Sequence, residues 1–195
     1  STLIGAILAV IAGYAFWPVW EKQRFPALMT ESLLQTKDYL NRVINYYKKE
    51  LPAHENWFTN RRLTEAANNH VFASVQRMYE EPKHKQDQVD TYFAMVGVNI
   101  RMAREITSIA LIADEHKNSG HGEALTAYWK EAEKIFGTII KNISEEASSF
   151  ETPDFKTIKE SLNTALFDSG EQSQFIKTEL EKIIFELETL CKLTL

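Results

Sequence analysis

The side chains of this 195-residue chain that are best suited to chemistry gather in one stretch. Arg61, Arg62, Glu65, Asn68, Asn69 and His70 are followed by Arg77, Glu80 and Glu81, and Arg101, Arg104 and Glu105 come a little later. Guanidinium forks match carboxylates and phosphates, so such a pattern can bind an anion or hold a neighbouring subunit. It can equally form solvated or inter-helix ion pairs among its own members. Helical spacing lets Arg62 reach position 65 or 66, and Arg77 reach Glu81. The candidate polar network or interface is Arg61, Arg62, Glu65, Asn69, His70, Arg77, Glu81 and Arg104. If Arg61, Arg62 and Glu81 tie helices or subunits together, charge reversal at Arg62 lowers stability or shifts oligomeric state.

Other chemistries find less footing. Di-iron bundles need Glu-x-x-His on each of two facing helices, and the chain does not carry that spacing twice. Glu65 and His70 stand five apart, which turns them to different helix faces. Asp114-Glu115-His116 and His121 are metal-capable but sit among polar residues at a helix end. The single cysteine, Cys191, lies on the apolar side of the last helix and reads as a packed thiol compatible with a reducing compartment. No P-loop, dinucleotide glycine pattern or nucleophile elbow occurs. No catalytic, cofactor or metal residue is assigned, and an enzyme is not expected. The net charge is −5 and the basic residues never cluster beyond pairs such as Arg61-Arg62 and Lys48-Lys49, which disfavours a nucleic-acid groove.

The elements that would position these residues are helices. Residues 1–20 contain no Asp, Glu, Lys or Arg, and all 22 basic and 27 acidic residues lie beyond them. About 20 mainly apolar residues span a bilayer core. Tyr14, Trp17 and Trp20 collect at the far end as interfacial aromatics do, and Pro18 with Glu21-Lys22-Gln23-Arg24 closes the run. This stretch reads as the end of a membrane helix, with a buried core helix as the alternative; a cleaved signal peptide is disfavoured, since it lacks a basic start and a small-x-small site. The absence of an initial Met suggests a longer parent chain. Lys22 and Arg24 put the remainder in the cytoplasm by the positive-inside rule.

Residues 21–195 read as one all-α domain, an antiparallel bundle of about five to six long helices. The spacing predicts a helix over 27–50, after Pro26, with Leu33, Leu40, Val43, Ile44 and Tyr47 inside. A second helix over 57–81 has Leu63, Ala67, His70, Ser74 and Met78 as its inner face. A third over 88–117 carries the seam Tyr92, Val96, Asn99, Ala103, Ile106, Ala110 and Ala113, with close packing expected at Gly97. A fourth over 123–148 buries Leu125, Tyr128, Trp129, Ala132, Phe136, Ile139 and Ile143. Thr152 as N-cap and Pro153 at the first helical position open a short fifth, and the last helix carries Ile176, Leu180, Ile183, Leu187 and Leu190.

Two stretches together resemble a known family. One is Thr2-Leu3-Ile4-Gly5, an apolar run and Phe16-Trp17-Pro18-Val19-Trp20, whose Trp17, Pro18 and Trp20 would be a membrane-exit motif. The other is Asn60-Arg61-Arg62, Ala66-Ala67, His70 and Gln76-Arg77-Met78-Tyr79-Glu80-Glu81-Pro82. The pattern resembles the C-terminal half of the fusaric-acid-resistance (FUSC) family of bacterial inner-membrane proteins, the YccS/YhfK-like members above all, over about residues 1–115. The aspartate that often precedes the threonine in that family is not seen, because Ser1 stands there and the sequence begins. The resemblance implies the last membrane helix and the cytosolic domain of a transporter that exports aromatic or other organic acids. It further implies the lipid bilayer, the remaining membrane helices of the same polypeptide and a homo-oligomer as partners. The bundle would serve assembly or regulation. A membrane-anchored helical scaffold or sensor without transport is the competing expectation.

Overall fold

The computed structural model describes residues 4–6, 20–48, 57–115, 122–144, 150–164 and 170–194. They form α1 (Glu21–Tyr47), α2 (Phe58–Glu80), a 3-10 turn (Lys83–Lys85), α3 (Val89–Glu115), α4 (Gly122–Ser144), α5 (Phe155–Thr164) and α6 (Glu171–Thr194). Among the described residues there is no strand, and no helix is long and apolar enough to cross a membrane. Of the stretch expected to span, only residues 4–6, which are helical, and Trp20 are described; Trp17 and Pro18 lie outside the described residues.

Cross-helix contacts fix the directions. Glu21 meets Arg77 and Gln35 meets Thr64, so α1 and α2 are antiparallel. Tyr79 meets Asp90 and Asn68 meets Asn99, so α2 and α3 are antiparallel too. Arg101 meets Glu186 and Lys182 lies near Glu105, which sets α6 antiparallel to α3. α4 packs on α1 and α6, and α5 closes the far side against α4 and α6. The result is an up-and-down bundle with Trp57, Tyr39, Tyr128, Phe25 and Phe136 among its largest fully buried side chains.

Most expected core positions are buried: all five of α1, all five of α6, and Val96, Asn99, Ile106 and Ala110 on the α3 seam. Four details differ. α1 starts at Glu21 and runs through Pro26. A proline in the second turn removes a single backbone bond, and tertiary contacts at Glu21 hold the first turn. The inner face of α2 is Thr64, Asn68, Val71, Ser74, Val75 and Met78, whereas Leu63 and His70 face outward. Hydropathy misleads there because Thr64 and Asn68 are buried through hydrogen bonds to the Gln35 carbonyl and to Ser32.

α5 is capped by Asp154 instead of Thr152. Its carboxylate accepts from the Lys156 N–H (2.9 Å) and the Thr157 hydroxyl (2.6 Å), as an N-cap does. Those bonds, the Thr157 hydroxyl foremost, hold the carboxyl below its usual range. At Gly97 a side chain would meet only the Arg101 guanidinium, at 3.6 Å, so close helix packing is not what places a glycine there.

Gly137 lies in the interior of α4 with open space around its missing side chain. Gly137→Ala removes the entropic cost of glycine in a helix and is expected to stabilise the fold by about 0.5–1 kcal/mol. Thermal unfolding checks this, with a rise of roughly 1–4 °C expected for a chain of this size.

Candidate functional site

The eight candidate residues divide between two places on α2 and leave two members outside both. At the N-terminal half of α2, Arg61, Glu65 and Asn69 line an open cleft of about 560 Å³, joined by Arg104 from α3. Helical repetition puts Arg61, Glu65, Asn68 and Phe72 on one edge, and Ile100, Ala103, Arg104 and Thr107 on the other. Tyr39 of α1 contributes to the lining between them, its hydroxyl donating to Thr107 Oγ1 at 3.1 Å. Burial pushes the Tyr39 phenol up to about 12, so it stays neutral.

Arg61 Nε donates to Glu65 Oε1 at 2.7 Å. This is the i,i+4 pair of the helix; the pairing expected from Arg62 goes to its neighbour. Arg62 is exposed and has no ion pair among the described residues, so the charge reversal proposed there would leave the fold's own contacts intact. His70 is also exposed and lies outside the cleft lining. Arg104 likewise has no ion pair among the described residues, which leaves its guanidinium available to the cleft.

Beneath the cleft, three buried side chains from three helices bond together. Ser32 Oγ donates to Asn68 Oδ1 at 2.9 Å. Asn99 Nδ2 donates to Ser32 Oγ at 2.8 Å and to Asn68 Oδ1 at 3.0 Å. Because Asn68 Oδ1 accepts twice on the inner side, the amide nitrogen is turned the other way, towards the cleft that Asn68 lines. The cleft therefore offers an amide donor, a free guanidinium and an apolar wall of Phe72 and Ile100. With Arg61, Arg104 and Glu65 its formal charge is +1, suited to one small anion.

At the C-terminal end of α2 the remaining two members, Arg77 and Glu81, do not pair with each other. Arg77 forks onto Glu21 of α1, Nε to Oε1 at 2.9 Å and Nη2 to Oε2 at 3.0 Å. The Ser74 hydroxyl donates to Glu21 Oε2 at 2.6 Å. Glu81 Oε1 accepts from the Glu21 backbone N–H at 3.0 Å, capping a helix whose own preceding residue, Trp20, gives no side-chain cap. Helix N-termini leave such donors unpaired and favour negative charge, so a carboxylate from the next helix satisfies both needs. The Arg77 bond, above all, holds the Glu21 carboxyl below its usual range. Trp20, Lys22, Pro26, Glu81 and Asp87 border a groove of about 650 Å³ beside this clamp.

Glu21 and Ser74 were not among the candidates, since a single Glu after an apolar run looks like a mere stop signal. Asn99 on the α3 seam and Ser74 on the expected inner face of α2 were the sequence signs of buried polarity that hold in the structure. Among the described residues no group of three or more His, Cys, Asp or Glu converges as a metal site would; the side chains of Asp114, Glu115, His116 and His121 fall outside what is described. Cys191 is buried, and burial pushes its thiol up. The fold and its sites define an all-α up-and-down bundle with a polar cleft and an N-terminal clamp. No family model, curated protein or solved structure matches the chain.

The clamp has a pH signature. Glu21 is depressed in the folded state, so its stabilisation is present above the ordinary value of 4.5 and is lost as pH falls through the lower folded value. Arg77 is half exposed, which screens the pair. Arg77→Met is expected to cost about 1–2 kcal/mol near neutrality, with the gap to the parent closing as acid protonates Glu21. Chemical denaturation at several pH values measures both; a gap independent of pH would contradict the assignment.

Proposed function

We propose that this chain is the membrane-proximal helical region of a FUSC-like inner-membrane transporter of aromatic or other organic acids, with the bundle on the cytoplasmic side serving assembly or regulation. The carrying observation is the clamp at Glu21. The first charged residue after the uncharged stretch is bonded by Arg77, Ser74 and Glu81, so the chain leaving that stretch enters the bundle as a fixed helix. A domain that merely hung from a membrane would need no such junction. A domain that transmits movement or holds membrane segments in register does. The clamp also joins the two stretches that carry the resemblance: Trp20 ends the first, and Arg77 with Glu81 belongs to the second.

The transport assignment itself rests on the resemblance, with residues 1–20 as the last span and the translocation path among further membrane helices of the same polypeptide. The second reading, a membrane-anchored sensor, is favoured by the cleft, where Arg104 and the Asn68 amide face an open space of net positive charge. The native protein extracted from membranes separates the two. The transporter reading predicts resistance to alkaline extraction, an intact mass several times 22.5 kDa, and retention of aromatic carboxylates by cells that lack the protein. An intact mass near 22.5 kDa leaves too few spans for a path and favours the sensor; full release by alkali removes the membrane from both readings.

A further inference from the structure

Three carboxylates and two cations share the seam between α3 and α6. Arg101 forks onto Glu186, Nε to Oε1 at 2.7 Å and Nη2 to Oε2 at 2.8 Å. One turn along, Lys182 Nζ lies 2.6 Å from Glu179 Oε1 and 3.8 Å from Glu105 Oε2. The Glu105 and Glu179 carboxyls thus converge on the same ammonium. Their side chains are only 23% and 4% exposed, and that of Glu186 9%. With every group ionised the seam carries a formal charge of −1.

Arg101 is committed to Glu186, so one lysine must serve two carboxylates. Two carboxylates sharing a poorly solvated site do not both ionise readily; a proton turns their repulsion into a hydrogen bond. We propose that the α3–α6 seam is a proton-operated latch, in which Glu105 holds a proton donated to the Glu179 carboxylate and its loss loosens α6 from α3. Burial first, then the Glu179 contact, pushes Glu105 up to about 7, within the range a cell experiences.

The groups that face this pair are few. α6 supplies Glu179, Lys182 and Glu186, and α3 supplies Arg101. From α1, packed elsewhere on α3, come Tyr39 and Tyr47, both pushed up by burial and bonded to Thr107 and the Ile109 carbonyl. α2 brings Arg61, already paired with Glu65. On the other faces of α6, Tyr128 of α4 donates to the Leu180 carbonyl and Lys159 of α5 pairs with Glu188. Of the charged groups among these, Glu179, Lys182 and Glu186 act on Glu105. Arg104, next to Glu105 in α3, lines the cleft, so the latch sits on the helix that forms one cleft wall.

The sign follows from linkage. Folded Glu105 binds its proton more tightly than the unfolded chain does, so its contribution is full below 4.5, declines as pH rises to about 7 and is gone above. The test is a carbon-13 titration of glutamate side-chain carboxyls in the full chain, with thermal melts of the parent and of Glu105→Gln at pH 5.5 and 8. One carboxyl midpoint near pH 7 is expected, lost in Glu105→Gln and also in Glu179→Gln. The melting temperature of the parent should fall by several degrees more than that of Glu105→Gln between the two pH values, leaving the variant the more stable at pH 8. Every glutamate of the parent titrating below pH 5.5 overturns the latch, and needs no variant to fold. Parallel pH dependence in the parent and a folded Glu105→Gln overturns it as well.

Discussion

Three buried polar side chains, Ser32, Asn68 and Asn99, decide how the first three helices meet. Each is at most 5% exposed, and each comes from a different helix. Their bonds work in one arrangement: Ser32 spends its proton on Asn68, so it must accept from Asn99, whose amide nitrogen also reaches Asn68. Sliding α2 along α1 by one residue would strand these donors in a dry interior, at roughly 1–3 kcal/mol for each group left unpaired. Apolar packing tolerates such a slip far better, because it has no direction. One acceptor, Asn99 Oδ1, is buried without a partner among the described residues. The trio therefore contributes more to register than to net stability.

Register then places the rest. With Asn68 held inward, Arg61, Glu65 and Asn69 stand along the cleft edge and Arg104 faces them from α3. Further along, on the order of 15 Å from Asn68, Arg77 of α2 and Glu81 just beyond its end arrive beside Glu21 at the start of α1. The same helix thus serves an open, cationic cleft at one end and a closed junction at the other. The junction is closed by internal bonds, with Glu81 Oε2 alone of its carboxylate oxygens left buried without a partner among the described residues. The third polar region, between α3 and α6, lies on the far side of α3 and is short of cations by one. In the proposed latch, the charge balance of its three carboxylates depends on one proton.

Much of this was legible in the sequence. Helix number, the apolar faces of α1, α3, α4 and α6, and the gathering of polar chemistry on α2 all follow from 3.6-residue periodicity and from breaks at Pro82, Gly120 to Gly122 and Gly170. What periodicity could not supply was the partner of each charge. Arg77 has Glu81 at an ideal helical distance, yet Glu81 is drawn to a helix N-terminus and Arg77 to Glu21, some 56 residues away in the chain. Tertiary hydrogen bonds outweigh an exposed i,i+4 pair, which contributes only a few tenths of a kcal/mol. The inner face of α2 was misread for the same reason: Thr64 and Asn68 look like surface residues until their acceptors and donors on α1 and α3 are known. The start of α1 was displaced by Pro26, a reliable breaker only when nothing else holds the turn before it.

The central claim is that α1 enters the bundle as a rigid helix from its first residue, registered by the buried trio and clamped at Glu21. Native-state amide hydrogen exchange tests it most directly. The account predicts that amides around Ser32, Asn68 and Asn99 exchange only through global unfolding, and that the Glu21 amide, bonded to Glu81, is strongly protected although it opens a helix. Rapid exchange across the first two turns of α1, with the remainder of the helix protected, would contradict it: the junction would then be a loose tether, and the clamp would carry no mechanical role.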